Sequence, residues 1–317
     1  MPGLECAAGD LSAQLSCSDF VHRLLFEPVT VRILSEMTQS PTDLTFTSMF
    51  PSGVRMHAAL LIGLASALLA AAPAGDDPVP AASEPAGAFK QEVAGCTFVI
   101  DLVPFKGGKG EPLFVSTTEI PWELFDVFVY GSDKADGKSN EQADAVTKPT
   151  KPYIGMDREF GHVGFPAISP SFLSVKQFCQ WLSAKTGRTY RLPTPDESKA
   201  LCVQSGIDPK NCGDFAWTKD NAQEKTHKLA AKKADKLGLF DLMGNACEWV
   251  DDGSKFGSVA GGCYLDAMAD LECGALSPCK PVEWNEIDPQ FPKSKWWYSS
   301  GGFVGFRVIC EPTDAKK

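Results

Sequence analysis

Residues 238–250 read GLFDLMGNACEWV, and they contain or directly precede four acidic residues: Asp241, Glu248, Asp251 and Asp252. These acids surround a Gly-Asn turn. Hard cations such as calcium prefer carboxylates combined with backbone carbonyls in a curved loop, although the spacing here is not that of an EF-hand. The stretch is therefore consistent with a calcium loop built on Asp241 and Glu248, or with an acidic surface turn beside a buried Trp249.

The overall composition is that of a globular protein. The chain has 317 residues, 44% of them hydrophobic and 22% charged, and its formal net charge is -10. Nucleic-acid affinity comes mainly from neutralising phosphates, so a chain this acidic is not expected to bind nucleic acid.

The N-terminal part has the pattern of an export signal. Residues 58–72 are fifteen positions without a charge, too short for a membrane span but suited to a signal-peptide core. Small residues at Ala72 and Ala74 place the cut after Ala74. We therefore expect a doubtful leader over 1–55, caused by a wrongly chosen start codon, and a signal peptide over 56–74. The alternative is a cytoplasmic tail on an internal anchor helix.

Cysteine usage agrees with export. Of eleven cysteines, nine follow the predicted cut, which is typical of an oxidising compartment, so we expect a secreted or periplasmic protein with no membrane span in its mature chain. An odd number leaves at least one cysteine unpaired.

The mature part reads as one α+β domain over 93–312, after a Pro- and Gly-rich linker over 75–92. Residues 96–103 and 113–121 are predicted to form a hairpin. Pro121 opens one helix, residues 171–187 form an amphipathic second helix, and a capping box at Thr194 opens a third. A polar loop is expected over 131–152, and 302–311 is predicted to be a final strand.

Histidine usage argues against an imidazole metal site. After the predicted cut only His162 and His227 remain, and no H-x-x-x-H spacing exists. Each is expected to be a structural residue.

Four motifs occur in an order that resembles the formylglycine-generating enzyme (sulfatase-modifying factor) family. They are RLPTPDESKALC (191–202), GLFDLMGNACEWV (238–250), AGGCYLDA (260–267) and GFVGFRVI (302–309), and the upstream segment 116–129 also resembles the family's opening strand and helix. The resemblance spans nearly the whole mature domain. It implies a C-type-lectin-like α+β fold with many loops.

The resemblance also implies a structural calcium and two disulfides. The family's calcium ligands fall on Asp241, Gly244, Ala246 and Glu248, of which the two middle residues would contribute carbonyls. One family disulfide falls on Cys202 and Cys273. A second pairs Cys179 with a position at Val308, and Cys310 lies two residues further on the same face of a strand, which makes Cys179–Cys310 a plausible shifted pair.

The sequence departs from the family at the active site. The family oxidase binds copper through two cysteines, because soft thiolates select copper(I). Those two positions hold Asp266 and Leu271 here. Copper is therefore not expected, and a disulfide between Cys247 and Cys263 is favoured over a rearranged copper site. Asp266, Asp270 and Cys263 are candidates for a repurposed site, and a solvent-exposed loop is the alternative.

Two functions follow as hypotheses. The first is a non-oxidising binding or accessory module that recognises a protein or small-molecule ligand. The second is a formylglycine-generating oxidase with displaced cysteines. A sulfoxide synthase of the same superfamily ranks last, because the histidine-rich partner domain that it needs is absent.

Overall fold

A computed structural model describes residues 87–134 and 140–312. All of them belong to one compact unit. Within these residues no helix is both long and apolar enough to cross a membrane. The predicted leader (1–55), the signal peptide (56–74) and the cut after Ala74 lie outside the described residues and stay predictions.

The described residues combine short helices and short strands, as the α+β prediction requires. The α-helices are α1 (Trp122–Tyr130), α2 (Glu141–Asp144), α3 (Phe172–Thr186) and α4 (Pro195–Ser205). The strands are β1 (Phe89–Gln91), β2 (Ile100–Lys106), β3 (Pro112–Ser116), β4 (Tyr190–Arg191), β5 (Cys247–Val250), β6 (Ser258–Ala260), β7 (Ser277–Pro278), β8 (Val304–Gly305) and β9 (Ile309–Cys310).

Local signals in the sequence explain where the helices begin and end. Ser171 caps α3 by accepting from the Ser174 N–H, and Gly187 ends it in the left-handed conformation, which glycine adopts without a steric penalty. At α4, Thr194 and Glu197 form the expected capping box. The predicted helix ends are therefore confirmed.

The core lies where α1 and α3 pack against the segment that follows β8. Phe125, Phe178 and Phe306 form a ring cluster with centroid distances of 5.2 to 5.7 Å. Each of these rings is fully buried. Aromatic side chains bury large areas and prefer such tilted or edge-to-face packing, so this cluster contributes much of the apolar burial.

Two sheets build the domain, one in the order β1-β2-β3-β9-β4 and one in the order β7-β6-β5-β8. In the part of the chain that the structure describes, all strand pairs are antiparallel except β5 with β8. The chain changes from the second sheet to the first between β8 and β9, and Arg307 lies at this change. The final strand predicted over 302–311 is thus two short strands in different sheets.

The linker and the first hairpin also differ from the prediction. The linker predicted over 75–92 contains β1 at its end, where the Phe89 ring packs edge-on against Phe114 at 5.0 Å. The strand predicted over 96–103 begins at Ile100 instead, because a turn bonded from the Cys96 N–H to the Val93 carbonyl precedes it. A three-residue edge strand carries too little alternation to be detected from sequence. The hairpin itself, β2 with β3, is confirmed.

Removing the capping hydroxyl of α4 should destabilise the domain measurably. Thr194→Ala leaves the Glu197 N–H without its side-chain acceptor, and we expect a loss of about 1 kcal/mol in the free energy of unfolding, measured in urea. Thr147→Ala, at an exposed position, is the control and should change little. Equal losses in both variants would contradict the role given to the cap.

Candidate functional site

The segment from Asp241 to Val250 contributes two residues, Asp241 and Glu248, to a cluster of buried charged side chains. Glu248 on β5 forms a bidentate pair with Arg307, in which the Nε–Oε2 and Nη2–Oε1 distances are both 2.6 Å. Arg307 is fully buried and also donates to the backbone carbonyls of Ser116 and Phe240 at 3.0 Å. The guanidinium therefore joins β5 to the end of β3 and to the residue before Asp241.

Glu119 adds a further buried carboxylate to the cluster. It is fully buried and accepts hydrogen bonds from the Asn245 side chain and the Ala246 N–H, both at 3.1 Å. Asn245 in turn accepts from the His227 N–H through its side chain at 2.8 Å. The turn between Asp241 and Glu248 is thus held by the Glu119 side chain and by the His227 backbone.

Asp241 is the member of this cluster with unused bonding capacity. It is 1% exposed, and its Oδ2 accepts from the Ala230 N–H at 3.0 Å. Its Oδ1 is buried with no hydrogen-bond partner among the described residues. A buried carboxylate oxygen without a partner carries a large desolvation cost, and a cation would remove that cost.

The environment raises the pKa of all three carboxyls. Burial raises the pKa of Glu119 well above its usual range, and the charges of Asp241 and Glu248 raise it further. Burial raises the pKa of Asp241 to about 7. Burial also raises the pKa of Glu248, although Arg307 acts in the opposite direction. One guanidinium does not offset three buried carboxyls, so the cluster favours additional positive charge, as protons or as a cation.

The alternative of an acidic surface turn is wrong for Asp241 and Glu248, the two carboxylates predicted to bind calcium. Asp241 and Glu248 are 1% and 5% exposed, whereas Asp251 and Asp252 reach the surface. Trp249 is buried as expected, and its Nε1 donates to the Pro170 carbonyl at 2.9 Å.

Of the two disulfides implied by the resemblance, one is present. Cys202 and Cys273 are bonded, which fixes α4 to the segment after Leu271. Cys179 and Cys310 are both free and buried, so the shifted pair is a wrong prediction. A shift of two residues along a strand moves a thiol by about 6.6 Å, and disulfide geometry does not tolerate that displacement.

The structure brings Cys247, Cys263 and Asp266 together. Both thiols are free and buried, and the two sulfurs and one Asp266 carboxylate oxygen lie within 4.8 Å of one another. The favoured Cys247–Cys263 disulfide is therefore not formed. Two causes raise the pKa of the Cys247 thiol: the larger is its hydrogen bond with Cys263, and the next is its burial.

The other candidates for a repurposed site lie apart from this group. Asp270 is exposed in a short 3-10 turn over Met268–Asp270. Leu271 is 5% exposed and packs in an apolar cluster with Cys202 and Met243. Of the three repurposed-site candidates, Asp266 and Cys263 thus meet, and Asp270 does not.

Both histidines have structural partners. His162 stacks on Trp122 and lies between Asp126 and Asp157, with nitrogen to oxygen distances of 2.9 and 3.3 Å. His227 stacks on Trp217 with a centroid distance of 3.7 Å. Neither belongs to the carboxylate or thiol cluster.

Sequence reasoning missed two residues of the buried charge cluster. Arg307 lies in a motif that was recognised, but its ion pair with Glu248 is not readable from that motif. Glu119 lies in the upstream segment 116–129, where a single acid between apolar residues was the available signal.

Comparisons with known proteins agree with this fold. The chain matches the model of the sulfatase-modifying factor enzyme 1-like domain over residues 83–312. No curated protein is a significant match to it. Among solved structures, Treponema denticola variable protein 1 is similar with a TM-score of 0.50 and 15% identity, covering 72% of this chain and 100% of that chain.

Two further solved structures are more distant in shape. PvdO from Pseudomonas aeruginosa has a TM-score of 0.47 and 19% identity, covering 73% of this chain and 100% of that chain. CarF has a TM-score of 0.41 and 16% identity, covering 71% of this chain and 99% of that chain.

The elements and their order define a loop-rich α+β domain of the formylglycine-generating-enzyme type. Because the family model covers most of the chain, the protein belongs to the sulfatase-modifying factor enzyme 1-like domain family. The family resemblance and the fold class predicted from the motifs are both confirmed.

The close approach at Gly244 gives a test of the turn itself. A Cβ at Gly244 would meet the Trp217 carbonyl oxygen at 2.3 Å, and its φ is +78°. Gly253 has a φ of +77° with nothing within 4 Å, so Gly253→Ala is a control that matches the backbone strain without the clash.

We expect Gly244→Ala to cost about 1–3 kcal/mol more than Gly253→Ala in the free energy of unfolding, because the backbone must move to relieve the contact. Urea unfolding followed by tryptophan fluorescence measures both. Equal losses would mean that the turn is not held against Trp217.

Proposed function

We propose that this protein is an exported, non-oxidising member of its family, which acts as a binding or accessory module for a protein or small-molecule ligand. The proposed location is the periplasm or the outside of the cell. N-terminal sequencing of the secreted chain tests the location, and a mature terminus other than Gly75 would contradict the predicted cut.

One observation carries the proposal: the two positions that the family uses for copper cysteines hold Asp266 and Leu271. Leu271 has no ligand atom and is packed in an apolar cluster. The next cysteine along the chain, Cys273, is bonded to Cys202. The residues at these positions therefore do not fit the family's copper site, and we derive no oxidation step through copper.

A structural calcium at the buried charge cluster is the second part of the proposal. Asp241 and Glu248 would contribute carboxylates, and Gly244 and Ala246 would contribute carbonyls. The unpartnered Asp241 Oδ1 and the excess of buried carboxyls support this assignment. When bound, calcium would supply positive charge beside Glu119 and hold the turn in shape; it would not act on a substrate.

Calcium should stabilise the chain against heat. At a calcium concentration about 100 times the dissociation constant, binding to the folded state alone adds about 2.7 kcal/mol. We expect the melting temperature to rise on adding calcium and to fall again with a chelator. Asp241→Ala should lose this response, while Asp270→Ala, at an exposed position, should keep it.

A direct titration covers the case in which Asp241→Ala does not fold. If the unchanged chain takes up no calcium in isothermal titration calorimetry, the calcium assignment is wrong, whatever the behaviour of the variant.

The competing function is a formylglycine-generating oxidase with displaced cysteines. The observation in its favour is that Cys247 and Cys263 are both free thiols and lie close together. The copper-loaded chain is incubated with a peptide that carries a sulfatase cysteine motif, and mass spectrometry follows conversion of cysteine to formylglycine. We expect no conversion, with an active enzyme of the family as positive control. Turnover by this chain would refute the non-oxidising assignment.

A further inference from the structure

The thiol cluster formed by Cys247, Cys263 and Asp266 lies on the opposite side of β5 from the Glu248 carboxylate. Neighbouring residues of a strand point to opposite faces, so Cys247 and Glu248 address different surroundings. Glu248 is paired with Arg307, whereas the Cys247 sulfur lies within 4.8 Å of the Cys263 sulfur. The two clusters are adjacent in sequence but separate in space, and the carboxylate cluster does not use the thiols.

The geometry of this group points to a zinc site: we propose that Cys247, Cys263 and Asp266 bind one Zn²⁺ ion through two sulfurs and one carboxylate oxygen. The three ligand atoms lie within 4.8 Å of one another. Two sulfurs on a tetrahedral zinc, each about 2.3 Å from the metal, are about 3.8 Å apart, so small side-chain rotations suffice.

The ligand chemistry selects the metal. Thiolates bind both copper(I) and zinc, whereas a carboxylate oxygen suits a borderline ion such as Zn²⁺ better than a soft monovalent one. Three protein ligands leave the fourth position of a tetrahedron open. Both cysteines are buried and Asp266 is partly exposed, so the group reaches the surface at Asp266.

Two of the ligands are held by one tight turn. The Asp266 N–H donates to the Cys263 carbonyl at 3.0 Å, and the Cys263 N–H donates to the Asp266 carboxylate at 2.8 Å. The Leu265 N–H also donates to the Cys263 sulfur, at 3.4 Å. Backbone donors to a carboxylate and a sulfur orient both groups and stabilise negative charge on them, as partners of metal ligands do.

The third ligand is fixed relative to this turn. The Cys247 N–H donates to the Phe303 carbonyl at 2.8 Å, which anchors the start of β5. The Tyr264 N–H donates to the Asn245 carbonyl at 3.0 Å, which ties the Cys263–Asp266 turn to the segment just before Cys247. The group is therefore positioned by the backbone before any ion enters.

Cobalt substitution tests the site with a spectroscopic signal that does not depend on activity. The full chain, reduced and freed of metal, is titrated with Co²⁺. We expect one ion per chain, a thiolate-to-cobalt charge-transfer band in the near ultraviolet, and loss of that band when Zn²⁺ is added.

Variants assign the ligands. Cys247→Ser and Cys263→Ser should abolish the charge-transfer band or reduce it to the contribution of one sulfur. Cys279→Ser, at a free cysteine outside the group, should leave it unchanged. Asp266→Asn should weaken Zn²⁺ binding by about 10–100-fold or more. That range is the usual loss of affinity when a residue hydrogen-bonded to a metal ligand is removed, and Asp266 is proposed as a ligand itself. Circular dichroism checks that each variant is folded.

Three outcomes would overturn the zinc assignment. They are the absence of a thiolate band in the unchanged chain, a band that keeps its full intensity in both serine variants, and a Cys247–Cys263 disulfide in chain isolated without reductant. The non-oxidising function fails by a different result, conversion of the peptide cysteine, so failure of either proposal is recognisable on its own.

Discussion

The bidentate pair between Arg307 and Glu248 is the interaction on which the arrangement of the two sheets depends. Glu248 belongs to β5 of one sheet, and Arg307 lies where the chain leaves β8 and enters β9 of the other. Because both side chains are buried, losing one partner would leave an uncompensated charge, which typically costs about 3–5 kcal/mol. A buried pair of this kind adds little net stability over apolar packing. It does penalise any arrangement of the sheets that separates the two charges.

The short segment from Asn245 to Glu248 is shared by two sites of different chemistry. The Ala246 N–H and the Glu248 carboxylate belong to the carboxyl cluster, while Cys247 between them belongs to the thiol cluster. Alternation along β5 is sufficient for this, because successive residues face opposite ways. The same hydrogen bonds that hold the carboxyl cluster thus also fix the thiol of Cys247.

Local patterns made much of the fold predictable. The capping box at Thr194, the hairpin of β2 with β3 and the ordered motifs all act over short distances or through a family signature. Contacts between residues that are distant in sequence were harder to predict from the sequence. Cys202–Cys273 was found through the resemblance, but Cys179–Cys310 failed because a displacement of two residues is small in sequence and large in a strand. Glu119 bonds to Ala246, which is 127 residues away, and Arg307 bonds to Phe240, which is 67 residues away. No local pattern in the sequence extends over such separations. The sequence grouped Asp266 with Cys263 as candidates for one site and predicted a disulfide between Cys247 and Cys263. Only the fold shows that the three side chains meet with both thiols free.

The strand order β1-β2-β3-β9-β4 has a consequence for how the chain folds. β9 lies inside its sheet, between β3 and β4, yet it comes last along the chain among the described strands. A hydrogen bond between Val308 and Ser116 closes a separation of 192 residues. Contacts this distant in sequence slow folding, since the entropy of closing the loop is lost before the contacts form. Until β9 arrives, β4 has no neighbour in the sheet, and Arg307 is not yet available to Glu248. The domain is therefore expected to reach its final structure only after β9 has been synthesised.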